Sequence, residues 1–344
     1  MTSAAGSDHA GPGRPPTIAD VAARAGVSVP TVSRVLTGAA KVSTAKRESV
    51  EAAIAALSYR PSAAARMLVS GQPRVVAVVT GDTSRYGYAE AIRGVEEAAR
   101  SDGYTVMITV VENTDDAEID QAMAATLGQP IAGVVVLKFD PQGVAALARI
   151  PSGLPVVALS GLRDTGVAQA VLDETRAAEE VTDYLLGLGH ATVHHVRVPP
   201  SRRQDGRTIG WRRALRRAAA DIPEPLDASW DPRSGVALGA QLARDGATAV
   251  FCGNDEIAMG VIRGLVDEGK RVPEDVSVVG FDDHPLAGLW APPLTTVRQD
   301  FAGMGRRGFE LLSRAMAGDR EPRLSSERPQ LVLRASAGPA PADR

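Results

Sequence analysis

The sequence predicts an α/β protein with a small all-α helix-turn-helix head at the N-terminus and a two-lobed body of two parallel, doubly wound sheets. Three observations carry this. Between residues 74 and 283, apolar runs alternate with helical segments in two successive sets, the pattern of buried parallel strands with covering helices. Near the N-terminus, two short helical stretches meet at Ala25-Gly26-Val27-Ser28. The charge also divides near residue 70: eight Lys/Arg stand against four acids before it, a net +4, and the remainder carries −7. A basic head on an acidic body fits contact of the head with a polyanion.

The elements follow in order. Residues 1–16 are rich in Gly, Pro, Ala and Ser without periodicity, and read as a disordered arm. Thr17 opens a helix as a capping residue, with Asp20 three positions on as a capping-box variant. Gly26 can end that helix in the left-handed conformation. Ser28 caps a second helix with Pro30 in its first turn, where N–H groups lack helical acceptors. Ser43 begins a third helix that turns Val50, Ile54 and Leu57 onto the first two. In the body, residues 74–81, 104–112, 131–137 and 155–161 read as buried strands, with Glu90–Arg100 the clearest helix between them. A second set of strands follows at 191–198, 247–255 and 275–283, with helices near 175–188, 207–219, 233–244 and 256–268. Ligands in such sheets sit beyond the C-terminal strand ends, which points to Asp82, Ser160, Asn254, Asp255, Asp282 and Asp283.

Composition narrows the function classes. The chain has 344 residues, 44% of them hydrophobic, enough for more than one core. Its 34 Gly and 23 Pro are too few for a low-complexity chain. Cys252, the single cysteine, can form neither an internal disulfide nor a cysteine zinc site. No apolar run approaches about 18 residues, and the N-terminus lacks a signal core. The expectation is a cytoplasmic protein, neither secreted nor membrane-spanning.

The run TIADVAARAGVSVPTVSRVL (17–36), followed by KVSTAKRESVEAAIAALSYRPSAAARML (41–68), resembles the lactose-repressor (LacI/GalR) family of bacterial transcriptional regulators. The likeness continues through Gly210-Trp211, Asn254-Asp255, VSVVGFDD (276–283) and PPLTTVRQDF (292–301). It implies a helix-turn-helix domain over 17–60, a hinge helix and linker over 61–73, and a periplasmic-binding-protein-like body over 74–336 with a tail at 337–344. Lobe 1 would hold about 74–165 and 301–325, and lobe 2 about 166–297 and 326–336. The second helix of such a head lies in the major groove, placing Val29, Pro30 and Arg34 at base edges. Arg34 can fork onto guanine O6 and N7, and Val29 can touch a thymine methyl. Thr17, Ser28, Thr31, Ser33, Lys41 and Tyr59 match positions that hold the DNA backbone in the family. The resemblance also implies a hinge helix with Ser62, Ala65 and Leu68 at the DNA, Leu68 as a minor-groove wedge. A short hinge helix forms only when paired, so the implied partners are a second copy, making a homodimer, and a near-palindromic double-stranded operator.

In the body, family matches put Arg207, Trp230, Asn254, Asp282 and Gln299 around a small-molecule effector, with Tyr88 and Phe281 as stacking faces. Ser160 stands where sugar-binding relatives often carry an acid. Carboxylate acceptors, Arg and Asn donors and an aromatic ring suit a sugar. The implied function is a repressor of carbohydrate uptake or catabolism genes released by that sugar. The alternative is a regulator that responds as co-repressor or activator to a metabolite such as a purine. The tail APADR has no apolar heptad for a tetramer helix.

Other classes fit less well. A sugar-transport protein would not carry residues 17–68, and an architectural DNA-binding protein would not need the body. No catalytic constellation, cofactor or metal set stands out: His190, His194 and His195 lack neighbouring cysteines. Gly264–Lys270 has phosphate-loop spacing, but Arg271 stands where Ser or Thr should follow. Gly303–Gly308 spells a dinucleotide pattern without the strand-helix-strand unit or acid it needs.

Overall fold

The computed structural model describes residues 16–36, 42–59, 73–163, 166–200, 205–319 and 321–342. The chain divides into two compact units, 1–74 and 75–344.

The first unit contains helices α1 (Ile18–Ala25), α2 (Val29–Leu36) and α3 (Thr44–Leu57). At the start of α1, the Asp20 carboxylate accepts from the Thr17 N–H at 2.8 Å and the Thr17 hydroxyl at 2.7 Å, satisfying an otherwise orphan donor. Gly26, at φ +66°, ends the helix in the left-handed conformation that a Cβ would strain. Ser28 differs from a simple cap: its hydroxyl pairs with that of Thr31 at 2.9 Å. Helix α3 closes the head, burying Val50 and Ala53 against Val21, Ala22, Val32, Val35 and Tyr59, with Ile54 and Leu57 partly buried beside them. The Ser49 hydroxyl donates to the Ala25 carbonyl at 3.0 Å, satisfying the C-terminal end of α1.

The second unit holds two parallel sheets. In chain order its first part runs β1 (Val75–Thr80), α4 (Tyr86–Ser101), β2 (Thr105–Val110), α5 (Asp116–Leu127), β3 (Gly133–Leu137), α6 (Pro141–Leu147), β4 (Val156–Ser160) and β5 (Ala168–Leu172). Next come α7 (Glu174–Gly187), β6 (His194–Arg197), α8 (Gly206–Arg217), β7 (Leu226–Asp227), α9 (Arg233–Arg244), β8 (Ala249–Cys252), α10 (Asp255–Asp267) and β9 (Ser277–Val279). The chain finishes with β10 (Thr296–Arg298), α11 (Phe301–Met316), β11 (Leu324–Glu327) and β12 (Gln330–Val332).

The first sheet has the order β11-β5-β4-β3-β1-β2 and the second β7-β6-β8-β9, while β10 and β12 form an antiparallel pair. The chain therefore leaves the first sheet after Leu172, later than the boundary at about 165 that the sequence suggested, and leaves it again after Glu327, close to the suggested boundary at about 325. Strand β5 was missed because its run is short and Gln169 interrupts it, yet its neighbours bury Ala170, Val171 and Leu172. The stretch 104–112, expected as a buried strand, forms the sheet edge at β2, with Ile108 46% and Val110 39% exposed.

Two glycine patterns that mimic nucleotide loops are packing devices. A Cβ at Gly305 would stand 2.2 Å from the Ala91 carbonyl oxygen, and one at Gly94 2.0 Å from that of Ala302, so α4 and α11 cross at backbone contact. A Cβ at Gly264 would meet the Val236 carbonyl oxygen at 2.0 Å, where α10 crosses α9. The C-terminal segment is tied to the second lobe: Ala340 N–H donates to the carbonyl of Leu188, the residue that ends α7, at 2.9 Å, and the Ser277 hydroxyl on β9 donates to the Gly338 carbonyl at 3.0 Å. Among the described residues, no helix is long and apolar enough to cross a membrane.

Candidate functional site

The head presents α2. Val32 and Val35 turn inward, leaving Val29 40% exposed, with Pro30 and Arg34 also exposed. That is the face expected to meet base edges. Thr17 and Ser28 are exposed, and Thr31 and Ser33 partly so. Tyr59 is different: it is 7% exposed and packs in the head's core, so the structure gives its ring a packing role instead of a place on the surface. Lys41, Ser62, Ala65 and Leu68 lie outside the described residues.

In the body a cleft opens between the two sheets at their C-terminal strand ends, with about 810 Å³ of empty space including its mouth. Its floor is built around Arg207 in the first turn of α8. One terminal nitrogen donates to Glu174 Oε1 at 2.8 Å and stands 3.6 Å from Asp282 Oδ1. The other donates to the Gly253 carbonyl, and the guanidinium lies 4.5 Å from the centre of the Phe281 ring. Its Nε is buried with no partner.

Asp282 follows β9 at the strand end. Its φ is +112° and that of Asp283 is +54°, conformations that cost about 1–3 kcal/mol each for side-chain-bearing residues and cluster at functional sites. They are held by surrounding bonds: Asp282 N–H donates to the Val297 carbonyl at 2.8 Å, and Asp283 pairs with Arg334 at 2.6 Å and Arg298 at 2.7 Å. The Asp282 side chain accepts from Gln299 Nε2 at 2.8 Å. Burial pushes its carboxyl up to about 7, against the pull of Arg207 and Gln299 and with the help of Glu174 and Glu256. Asn254 caps α10, accepting from the Ile257 N–H at 2.9 Å, and its amide faces Glu256 at 3.2 Å.

The walls are aromatic. Trp230 carries the Arg85 guanidinium over its ring at 4.2 Å. On the first-sheet side, Tyr86 and Phe139 stand edge-on to Phe301, at 6.1 and 6.3 Å.

The structure brings together Tyr88, Ser160, Arg207, Trp230, Asn254 and Asp282 of the residues the sequence proposed. Gln299 lies behind Asp282 and orients it. Phe281 is not a stacking face, because it is fully buried under Arg207 and beside Phe251. Tyr88 is 3% exposed and its hydroxyl donates to Asp140 at 2.7 Å, so its ring faces are used internally. The Ser160 hydroxyl donates to the Leu162 carbonyl at 2.9 Å. Of the other strand-end candidates, Asp82 turns onto Ser84 and Arg85, and Asp255 is buried on Thr296 and His284 at 2.5 and 2.6 Å. Sequence reasoning missed Arg85, Lys138, Glu174 and Glu256, all lining the cleft. Each follows a strand or opens the next helix, a signal that needed the strand ends correctly placed.

His190 and His195 are buried and hydrogen-bonded, His190 to Thr248 at 3.0 Å and His195 to the Phe251 carbonyl at 3.0 Å. Burial pushes His195 down to about 4. No group of three His, Cys, Asp or Glu able to hold a metal occurs among the described residues.

A helix-turn-helix head and a two-sheet body with a polar cleft define a DNA-binding regulator with a ligand-binding domain. Residues 17–62 match the family "Bacterial regulatory proteins, lacI family" and residues 182–337 match "Periplasmic binding protein-like domain". The HTH-type transcriptional repressor PurR of Klebsiella pneumoniae is 31% identical over 94% of this chain and 98% of its own. A lac repressor dimer bound to operator and the anti-inducer ONPF superposes with a TM-score of 0.87 at 28% identity, covering 94% of this chain and 100% of that one. The transcriptional regulator CelR in complex with cellobiose superposes with a TM-score of 0.69 at 29% identity, over 93% and 99%. The chain belongs to the LacI family of DNA-binding transcriptional regulators, which are not enzymes.

Proposed function

We propose that this protein is a homodimeric repressor that reads a near-palindromic operator through the α2 face and is released when a small sugar fills the cleft. Val29, Pro30 and Arg34 face the bases, and Thr17, Ser28, Thr31 and Ser33 hold phosphates. The observation that carries the effector reading is Arg207, which lines the cleft with its guanidinium beside the Asp282 carboxyl. A ligand oxygen accepts from the guanidinium, and the Asp282 carboxylate accepts from a neighbouring hydroxyl. Trp230, whose ring carries the Arg85 guanidinium at 4.2 Å, lines the same cleft. The likeness to CelR in its complex with cellobiose supports a sugar. The effector acts only through its preference for one lobe arrangement.

The likeness to PurR, with the ring-lined wall of Tyr86, Phe139 and Phe301, favours a second reading in which a flat purine binds and tightens operator binding. Selection of bound sites from random duplexes at near-physiological salt, repeated with mono- and disaccharides and with purines, separates them. A palindrome lost upon adding one sugar supports the first reading, and one strengthened by a purine supports the second. No enriched site under any condition overturns both.

A further inference from the structure

Glu174 opens α7, two residues after β5 leaves the first sheet, so it stands where the chain passes from one lobe to the other. Its side chain is nearly buried, at 11% exposure. On one side Oε1 accepts from Arg207 at 2.8 Å. On the other it lies against Gly161, which follows β4 in the first lobe: a Cβ there would stand 2.2 Å from the Glu174 carboxyl carbon and 2.4 Å from Oε1. Only glycine admits the carboxylate at that point. The Arg207 nitrogen that Glu174 holds is the one 3.6 Å from Asp282. One nitrogen is thus shared between a carboxylate at the lobe crossing and a carboxylate on the floor of the cleft.

We propose that Glu174 is a positioning residue: it sets where the Arg207 guanidinium stands relative to Asp282, and its seat on Gly161 ties that position to the arrangement of the lobes. The role deepens the reading of the cleft as the effector site and rests on it for its functional meaning. A rotation of the lobes moves Gly161 against Glu174, and Arg207 then shifts its share of bonding between Glu174 and Asp282. Ligand contact with Arg207 and Asp282 transmits along the same three groups in reverse.

The test needs no effector, so it fails or succeeds separately from the effector reading. In the full-length protein labelled on aspartate, the Asp282 carboxyl carbon signal, identified by its loss in Asp282→Asn, is followed by NMR against pH. The groups facing Asp282 are Arg207 on α8, Glu174 on α7, Glu256 and Asp255 on α10, Gln299 after β10 and Tyr86 on α4. Glu174→Gln removes one like charge and releases Arg207 to Asp282, so the midpoint should fall by on the order of one pH unit. Gly161→Ala, which forces the carboxylate off its seat, should also displace the midpoint. Gly187→Ala, in the same helix with nothing within 4 Å of the new methyl, should not. Movement in both test variants supports the role, and an unmoved midpoint in either overturns it.

Discussion

Replacing Arg207 with alanine removes the one cation around which the cleft floor is built. At an effective dielectric of about 20, the 2.8 Å contact to Glu174 amounts to about 6 kcal/mol of attraction and the 3.6 Å approach to Asp282 to about 4.6 kcal/mol. Much of this offsets the desolvation of the ions, so breaking such a buried pair by removing one partner is expected to cost about 3–5 kcal/mol. The lost bond to the Gly253 carbonyl and the exposed Phe281 ring act in the same direction. Asp282, left beside Glu174 without the cation, then keeps its proton to higher pH. A buried carboxyl that keeps its proton after the unfolded chain has lost it makes stability fall as pH rises. The deficit of Arg207→Ala should therefore be larger near pH 8 than near pH 5. Urea unfolding followed by circular dichroism at both pH values measures it. A deficit below about 1 kcal/mol, or one that does not grow with pH, would refute the picture of a buried carboxylate pair held by one guanidinium.

Asp282→Asn should flatten the pH dependence of stability between about pH 4 and 7, because the wild-type carboxyl titrates at about 7 in the folded state against 3.8 for the ordinary group. That difference corresponds to at most about 4 kcal/mol lost as pH rises, and an unchanged slope in the variant would show the burial argument to be wrong. Arg34→Ala should weaken operator binding by about 1–3 kcal/mol and relax one base position. Retained preference across single-base operator substitutions would remove Arg34 from base contact. Gly305→Ala should lower stability by about 1–3 kcal/mol through overpacking against Ala91, read in thermal melts beside Gly187→Ala as control. Equal melting of the two would mean that α4 and α11 separate without cost.

The head was legible in the sequence because its rules are local. A cap at Thr17, a left-handed glycine at Gly26 and the spacing of Val50, Ile54 and Leu57 each concern residues a few positions apart. The strands of the body were legible for the same reason, as apolar runs between breakers. Their order and partners were not: β11 joins the first sheet through β5, far back in the chain. Whether Phe281 meets the cleft or the core depends on Arg207 and Phe251, and no local pattern distinguishes the two faces of a fully buried strand end.

The sequence by itself determined the family, the alternation of two α/β sheets and a part of the polar lining of the cleft, Ser160, Arg207, Asn254 and Asp282, since each depends on residue types at short, regular spacing. Only the tertiary structure decided where the lobes exchange strands, which aromatic rings face the cavity, and that Glu174 shares Arg207 with Asp282. Those contacts join residues 33 and 75 positions from Arg207, and only packing in three dimensions brings them to one nitrogen.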